Sequence, residues 1–224
     1  MFRSLIPGLC MFALSACGAS SPAPVVANET TNDTFDAAFA DDHLYFPLQA
    51  GRSWSYFGEE DGHRVQEEVS VAPGLEVIDG VRCFVLVQDR LLDDELVETT
   101  FQWFSGASDG SVWLFGEQSL HPLTHEPLAE DSWLAGRDGA RPVRWLPAQP
   151  EPGDALTLAL PHGDELVLVL SLDGEASVPA GTFGNCLVVA ESSGEETDLI
   201  LYAPGIGRVQ ESSPGTTLRL VERR

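Results

Sequence analysis

One pattern occurs twice in this chain and limits its fold more than any other feature. The first copy starts at Gly51-Arg52-Ser53-Trp54-Ser55-Tyr56 and turns through the polar run Gly58 to Gly62. It returns with Val65, Val69 and Val71 alternating with Gln66, Glu68 and Ser70. A cysteine-bearing run, Gly80 to Val87 with Cys83, follows; then come Glu98 to Trp103 and Gly110 to Glu117. The second copy keeps the order: Gly153 to Leu158, a turn at His162-Gly163, Leu166 to Leu172, and Gly181 to Val189 with Cys186 in the place of Cys83. Glu196 to Tyr202 and Gly207 to Glu211 complete it. Period-2 alternation bounded by Gly, Pro and Asp is the signal of half-buried strands joined by hairpins. No amphipathic helix longer than two turns is visible. The expected fold is all-β, an antiparallel curved sheet or barrel of about ten strands built from an internal duplication.

The repeated region sets the domain. Residues 43–224 are expected to form a single β domain, with half-repeats at about 43–118 and 148–224. A longer Pro-rich connection, Ser119 to Pro152, lies between them. Residues 17–42 carry Ala, Ser, Pro, Thr, Asn and Asp without apolar periodicity and are expected to be an anchor and flexible linker. Ahead of them stand Arg3, the apolar run Leu5 to Leu14, and Leu14-Ser15-Ala16-Cys17. That last tetrapeptide has the form of a bacterial lipobox, in which the cysteine thiol receives a diacylglycerol. Residues 1–16 are expected to be a lipoprotein signal peptide, too short to span a bilayer. Cys17 is the expected lipidation site and the lipid bilayer the expected partner. The expected address is a bacterial cell envelope. Gly18 is not the usual inner-membrane retention residue, so the outer membrane is favoured in a cell that has one.

Charge narrows the partners. The chain has 35 acidic residues against 12 basic ones and a formal charge of −23. Nucleic acid and anionic headgroups both need a positive footprint, so nucleic acid is excluded as a partner. Of four cysteines, Cys10 leaves with the signal peptide and Cys17 becomes the anchor. Cys83 and Cys186 remain, an even pair in an oxidising compartment, and a disulfide between them is expected. In the chain-entropy model its loop of about 100 residues would stabilise by up to ~4–5 kcal/mol.

Chemistry-bearing motifs are sparse. There is no Gly-x-Ser-x-Gly elbow, no phosphate-cradling loop and no His-Glu-x-x-His. No catalytic residue and no cofactor are assigned. His121 and His125 have helical ligand spacing, but Pro122 and Pro127 place them in a loop. The acidic runs Asp41-Asp42, Glu59 to Asp61, Asp93 to Glu95 and Glu195-Glu196 fall mostly in turns, without the spacing of a Ca²⁺ loop. No metal ligand is assigned. Trp54, Trp103 and Trp113 lie on expected strands and read as core. Trp133 and Trp145 lie in the irregular connection and are the candidates for ligand binding.

The chain resembles an uncharacterised family of bacterial exported proteins and lipoproteins. The resemblance rests on Tyr45-Phe46-Pro47-Leu48 with Gly51, Trp54 and Tyr56; on Asp109 to Glu117; and on Trp133 to Ala140. Val178-Pro179-Ala180-Gly181-Thr182-Phe183-Gly184-Asn185-Cys186-Leu187 and Tyr202-Ala203-Pro204-Gly205-Ile206-Gly207 complete it. It implies one coherent domain and lends no catalytic activity.

The expected function is a membrane-anchored envelope lipoprotein of non-enzymatic type. It would bind an apolar small molecule or another envelope protein on the concave face of its sheet. Runs apolar on both faces, Cys83 to Val87 and Leu166 to Leu170, motivate this: such strands need cover on both sides. The alternative is a surface-anchored hydrolase or a Ca²⁺-dependent adhesion or sugar-binding module.

Overall fold

A computed structural model describes residues 34–127, 132–194 and 196–224. The signal segment, Cys17 and the linker up to residue 33 lie outside the described residues. The strands are β1 Phe35–Asp36, β2 Ser53–Glu60, β3 His63–Ile78, β4 Val81–Leu92, β5 Glu95–Ala107, β6 Val112–Leu120, β7 Trp133–Leu134, β8 Val143–Leu146, β9 Ala155–Leu160, β10 Gly163–Val178, β11 Gly181–Ser193, β12 Glu196–Ala203, β13 Gly207–Ser213 and β14 Thr216–Arg223. They form one antiparallel sheet ordered β7-β6-β5-β4-β3-β2-β14-β13-β12-β11-β10-β9, with β1 on β5 and β8 on β6. The fold is all-β as expected. It is a curved sheet, not a closed barrel. Four strands exceed the expected ten: the two-residue β1 and β7, the four-residue β8, and the C-terminal β14.

Two six-strand meanders, β2–β7 and β9–β14, make up the path, and their registers correspond. Gly51 N–H donates to Val71 O at 2.9 Å and Gly153 N–H to Val169 O at 2.8 Å. Val71 then faces Leu86 on β4, and Val169 faces Val189 on β11. Cys83 and Cys186 thus hold the same place, three residues before these partners. A bulge follows Trp103 where β5 meets β6, and another follows Leu201 where β12 meets β13. Phe104 therefore corresponds to Tyr202, and Leu114 to Arg208.

Among the described residues the meanders join along one seam. There β2 pairs with β14, Tyr56 facing Leu220 and Phe57 facing Arg219. Gly58 makes this approach feasible, since a Cβ on it would lie 2.5 Å from the Thr217 carbonyl oxygen. Closing the ring would require β7 to pair with β9. The counterpart of Gly58 is Leu160 on β9, followed by Pro161, which has no N–H to offer a ladder. β7 is two residues long, and β8 packs on β9 in its place.

The fold starts before His43. Phe35 packs edge-on against Trp113 and Phe115, with ring centroids 5.3 and 5.2 Å away. Ala37 and Ala40 are fully buried, and Gly106 has no room for a Cβ beneath Ala40. Asp36 accepts from Ala38 N–H and from Arg82, pinning this strap to β4.

The expected disulfide is not formed. Cys83 and Cys186 are free and buried. The seam brings β2 and β14 together; β4 and β11 have five strands between them in the sheet order. Burial pushes the Cys83 thiol up to about 12 and the Cys186 thiol upward as well.

Candidate functional site

The interior face of the seam carries the unusual chemistry. On β3 the inward positions are Val65, Glu67, Val69 and Val71, so one carboxylate occupies an apolar row and is 3% exposed. Facing it on β4 is Arg90, whose guanidinium donates to Glu67 at 3.2 Å and to Glu60 at 2.7 Å. Arg208 reaches from β13 across β14 and β2 and donates to the other Glu67 oxygen at 2.5 Å; its second arm pairs with Glu211. Its guanidinium also lies 4.2 Å from the centroid of the Tyr56 ring. A buried arginine is tolerable only when its charge is opposed and its donors are used. Here two carboxylates hold its pKa well above the usual arginine value despite burial. Burial pushes the Tyr56 phenol up to about 12, so it stays a neutral donor, bonded to the Arg208 carbonyl at 3.0 Å.

Two sequence motifs meet beside this network. The turn from Tyr202 to Gly207 is clamped to β2: Trp54 Nε1 donates to Ile206 O at 2.7 Å, and Arg52 to Gly205 O at 3.0 Å. Gly207 has φ +97°, a left-handed backbone that favours glycine, and a Cβ on it would touch Pro47 and Trp54 at 3.7 and 3.8 Å. The Tyr45-Phe46-Pro47-Leu48 segment caps the other side. Phe46 packs edge-on between the corresponding residues Phe104 and Tyr202, 4.9 and 6.3 Å between centroids. His43 anchors the cap. Its Nδ1 accepts from Phe46 N–H at 3.2 Å, so its Nε2 donates to Pro147 O at 3.0 Å. Burial lowers the His43 pKa and keeps the ring neutral.

Between cap and network lies a half-open pocket. Phe46, Leu48, Trp54, Val69 and Leu86 form its apolar wall; Gln88, Gln102, Arg208 and Glu211 form its polar end. The space it encloses is about 90 Å³. That is smaller than the ~300–1,000 Å³ of a typical ligand pocket, so it suits a very small molecule or one end of a longer one.

Among the described residues the other meander has no such network. Glu165, the counterpart of Glu67, has no arginine: Ser193 stands in the place of Arg90, and Leu114 in that of Arg208. Glu165 instead lies beside Glu191. Burial first, then Glu165, Glu211 and Asp198, raise the Glu191 pKa far above the ordinary carboxylate range.

The tryptophans divide differently from expectation. Trp54, Trp103 and Trp113 are buried as expected, and so is Trp133. Trp133 borders a second recess, with Arg137, Asp138 and Pro161, at the unpaired seam. Trp145 packs against Phe104 and Phe46, 5.7 and 6.4 Å between centroids, behind the cap. Neither lines the seam pocket. His121 and His125 sit in a loop, as expected, where His121 Nδ1 accepts from Leu123 and Thr124 N–H. Asp93 binds His63 and caps Arg64 N–H, so that acidic run fastens one turn to another. Among the described residues, no three His, Cys, Asp or Glu side chains are grouped to hold a metal ion. Neither Glu67, which anchors the network, nor Arg208, which lines the pocket, stands in a motif that the sequence analysis assigns to a site. Glu67 carried a usable signal, a carboxylate in phase with Val65, Val69 and Val71.

No protein-family model and no curated protein matches the chain. Among solved structures, the 2.70 Å crystal structure of a candidate lipoprotein from Parabacteroides distasonis resembles it. The two share 10% identity at a TM-score of 0.40, over 82% of this chain and 100% of the other. A likeness of that size transfers neither ligand nor activity.

Proposed function

We propose that this chain is a lipid-anchored envelope protein, built from two related meanders, whose seam pocket binds a small apolar molecule without acting on it chemically. The Leu14 to Cys17 lipobox supports the anchor and the envelope address. The seam pocket carries the binding reading: a wall of Trp54, Leu86, Val69 and Phe46 ends in the neutral amides of Gln88 and Gln102. An apolar wall with a few polar groups at one end suits orientation of an apolar body with a small polar end. Both arms of Arg208 are engaged by carboxylates. The network thus offers no free cation to an anionic ligand, and it works as a brace beneath the pocket.

Native mass spectrometry on the protein purified from its envelope fraction tests this. The expected result is a bound species of a few hundred daltons that is absent from Gln88→Trp, which fills the polar end of the pocket. A bare polypeptide mass, or an identical adduct on both proteins, overturns the reading.

A further inference from the structure

We infer that the polar end of the seam pocket receives the ammonium group of an alkylamine, whose chain lies along the apolar wall; this rests on the seam pocket being a binding site. The inference comes from what each polar group there already holds. Trp54 Nε1 is committed to Ile206 O, and the Tyr56 hydroxyl to Arg208 O. Both arms of Arg208 are taken, by Glu67 and by Glu211. Gln102 Nε2 donates to a Glu117 oxygen at 2.6 Å. A carboxylate acceptor fixes which way that amide points and leaves the Gln102 oxygen as an acceptor.

What remains uncommitted is rich in acceptors. Tyr202 lines the pocket and is 4% exposed, and among the described residues its hydroxyl has no hydrogen-bond partner. Among those residues the side-chain atoms sealed from solvent without a partner are Arg144 Nε, Trp145 Nε1 and Thr216 Oγ1. The Tyr202 oxygen is not one of them, so it opens on the cavity. Burial first, then Glu191, push its phenol pKa upward; Glu211 and Tyr56 act the same way, against Arg208. The oxygen therefore stands among the groups of the polar end, as a neutral hydroxyl. Glu211 gives one oxygen to Arg208 and keeps the other. Buried polar groups nearly always have partners, and this hydroxyl meets its partner in a ligand.

The free oxygens of Tyr202, Glu211 and Gln102 call for a donor. The ion network beside them sets Arg90 and Arg208 against Glu60, Glu67 and Glu211, which leaves one negative charge in excess. An ammonium supplies three N–H donors and one positive charge. Hydrogen bonds between ionised groups are also the strong ones. A carboxylate or phosphate would meet Glu211 with no free cation to offset the repulsion. An alcohol would bring one proton to three acceptors. The enclosed space of about 90 Å³ takes the nitrogen and its nearest carbons, and the chain continues along Leu48 and Phe46 toward the open side.

The test is isothermal titration calorimetry at neutral pH on the full chain carrying Cys17→Ser, with hexylammonium, hexanol and hexanoate as probes. Hexylammonium is expected to bind about tenfold more tightly than hexanol, and hexanoate to give no binding heat. Tyr202→Phe removes a hydroxyl that holds nothing in the fold. Its melting temperature is expected to equal or exceed the parent's, and its affinity for hexylammonium to fall about tenfold. Hexanol binding as tightly as hexylammonium, or Tyr202→Phe binding hexylammonium as the parent does, overturns the amine assignment; the pocket reading survives where Gln88→Trp still abolishes binding. Binding of none of the three probes, or binding indifferent to Gln88→Trp, overturns both.

Discussion

Glu67 and Glu165 stand at the same register position of β3 and β10, both turned into the sheet's interior, and their surroundings differ sharply. Glu67 is gripped by Arg90 and Arg208 and lies at the joined seam. Glu165 meets another carboxylate, Glu191, and lies toward the seam that stays open. The same backbone place is a structural clamp in one meander and a site of like-charge crowding in the other. Leu114 in place of Arg208, and Ser193 in place of Arg90, account for the difference. Two matching chain segments can keep strand order and register while dividing the work of holding the sheet together.

The largest expected effect comes from removing the clamp. Glu67→Ala leaves Arg208 and Arg90 facing an emptied buried site, and breaking one partner of a buried ion network costs about 3–5 kcal/mol. For a domain of this size that is a fall in melting temperature of about 10 °C or more. Glu165→Ala removes a carboxylate beside another and should stay within about 1 kcal/mol of the parent or exceed it. Thermal and urea unfolding of both variants decide the matter; equal losses would break the comparison.

A smaller effect sharpens it through pH. Glu191 has its folded-state pKa raised by burial and by Glu165, Glu211 and Asp198. A carboxyl raised in this way binds its proton more tightly when folded. Its contribution to stability is full below the ordinary carboxylate range and is lost as pH rises through the raised value. The melting temperature of the parent should fall by a few degrees between pH 5 and pH 8, and Glu191→Gln should flatten most of that fall. A variant whose pH profile parallels the parent's would remove the crowding argument.

Much of the fold was legible because alternation and turn chemistry are local. Leu156 and Leu158, Val65 to Val71, and the Asp109-Gly110 turn all announce strands without tertiary context. The matching places of Cys83 and Cys186 were also legible, because both follow a Gly turn by the same pattern. Their pairing was not, since it depends on which strands form the seam. That choice turns on Gly58 against Leu160, a difference with no local signature. The strap at Phe35 to Ala40 reads as linker because Phe35, Ala37 and Ala40 show no period; Phe35 packs on Trp113 and Phe115, and Ala40 sits against Gly106, all distant in sequence. The polar centre of the site escaped for a related reason. A charged residue on a strand reads as solvent-facing, and only its phase with neighbouring valines betrays Glu67. Arg208 stands at the start of β13, next to the bulge at Leu201/Tyr202, where alternation is too short and too irregular to give its direction.

Hydrogen exchange resolved by residue on the native protein tests the central claim, that the two meanders are locked at one seam and open at the other. The account predicts slow exchange for β2 and β14 amides, including those of Tyr56 and Leu220 around the Glu67 clamp. It predicts fast exchange for the outer-edge amides of β9 between Ala155 and Leu160, which among the described residues have no ladder partner on that side. Equal protection of the two seams, or stronger protection of β9 than of β2, would contradict it.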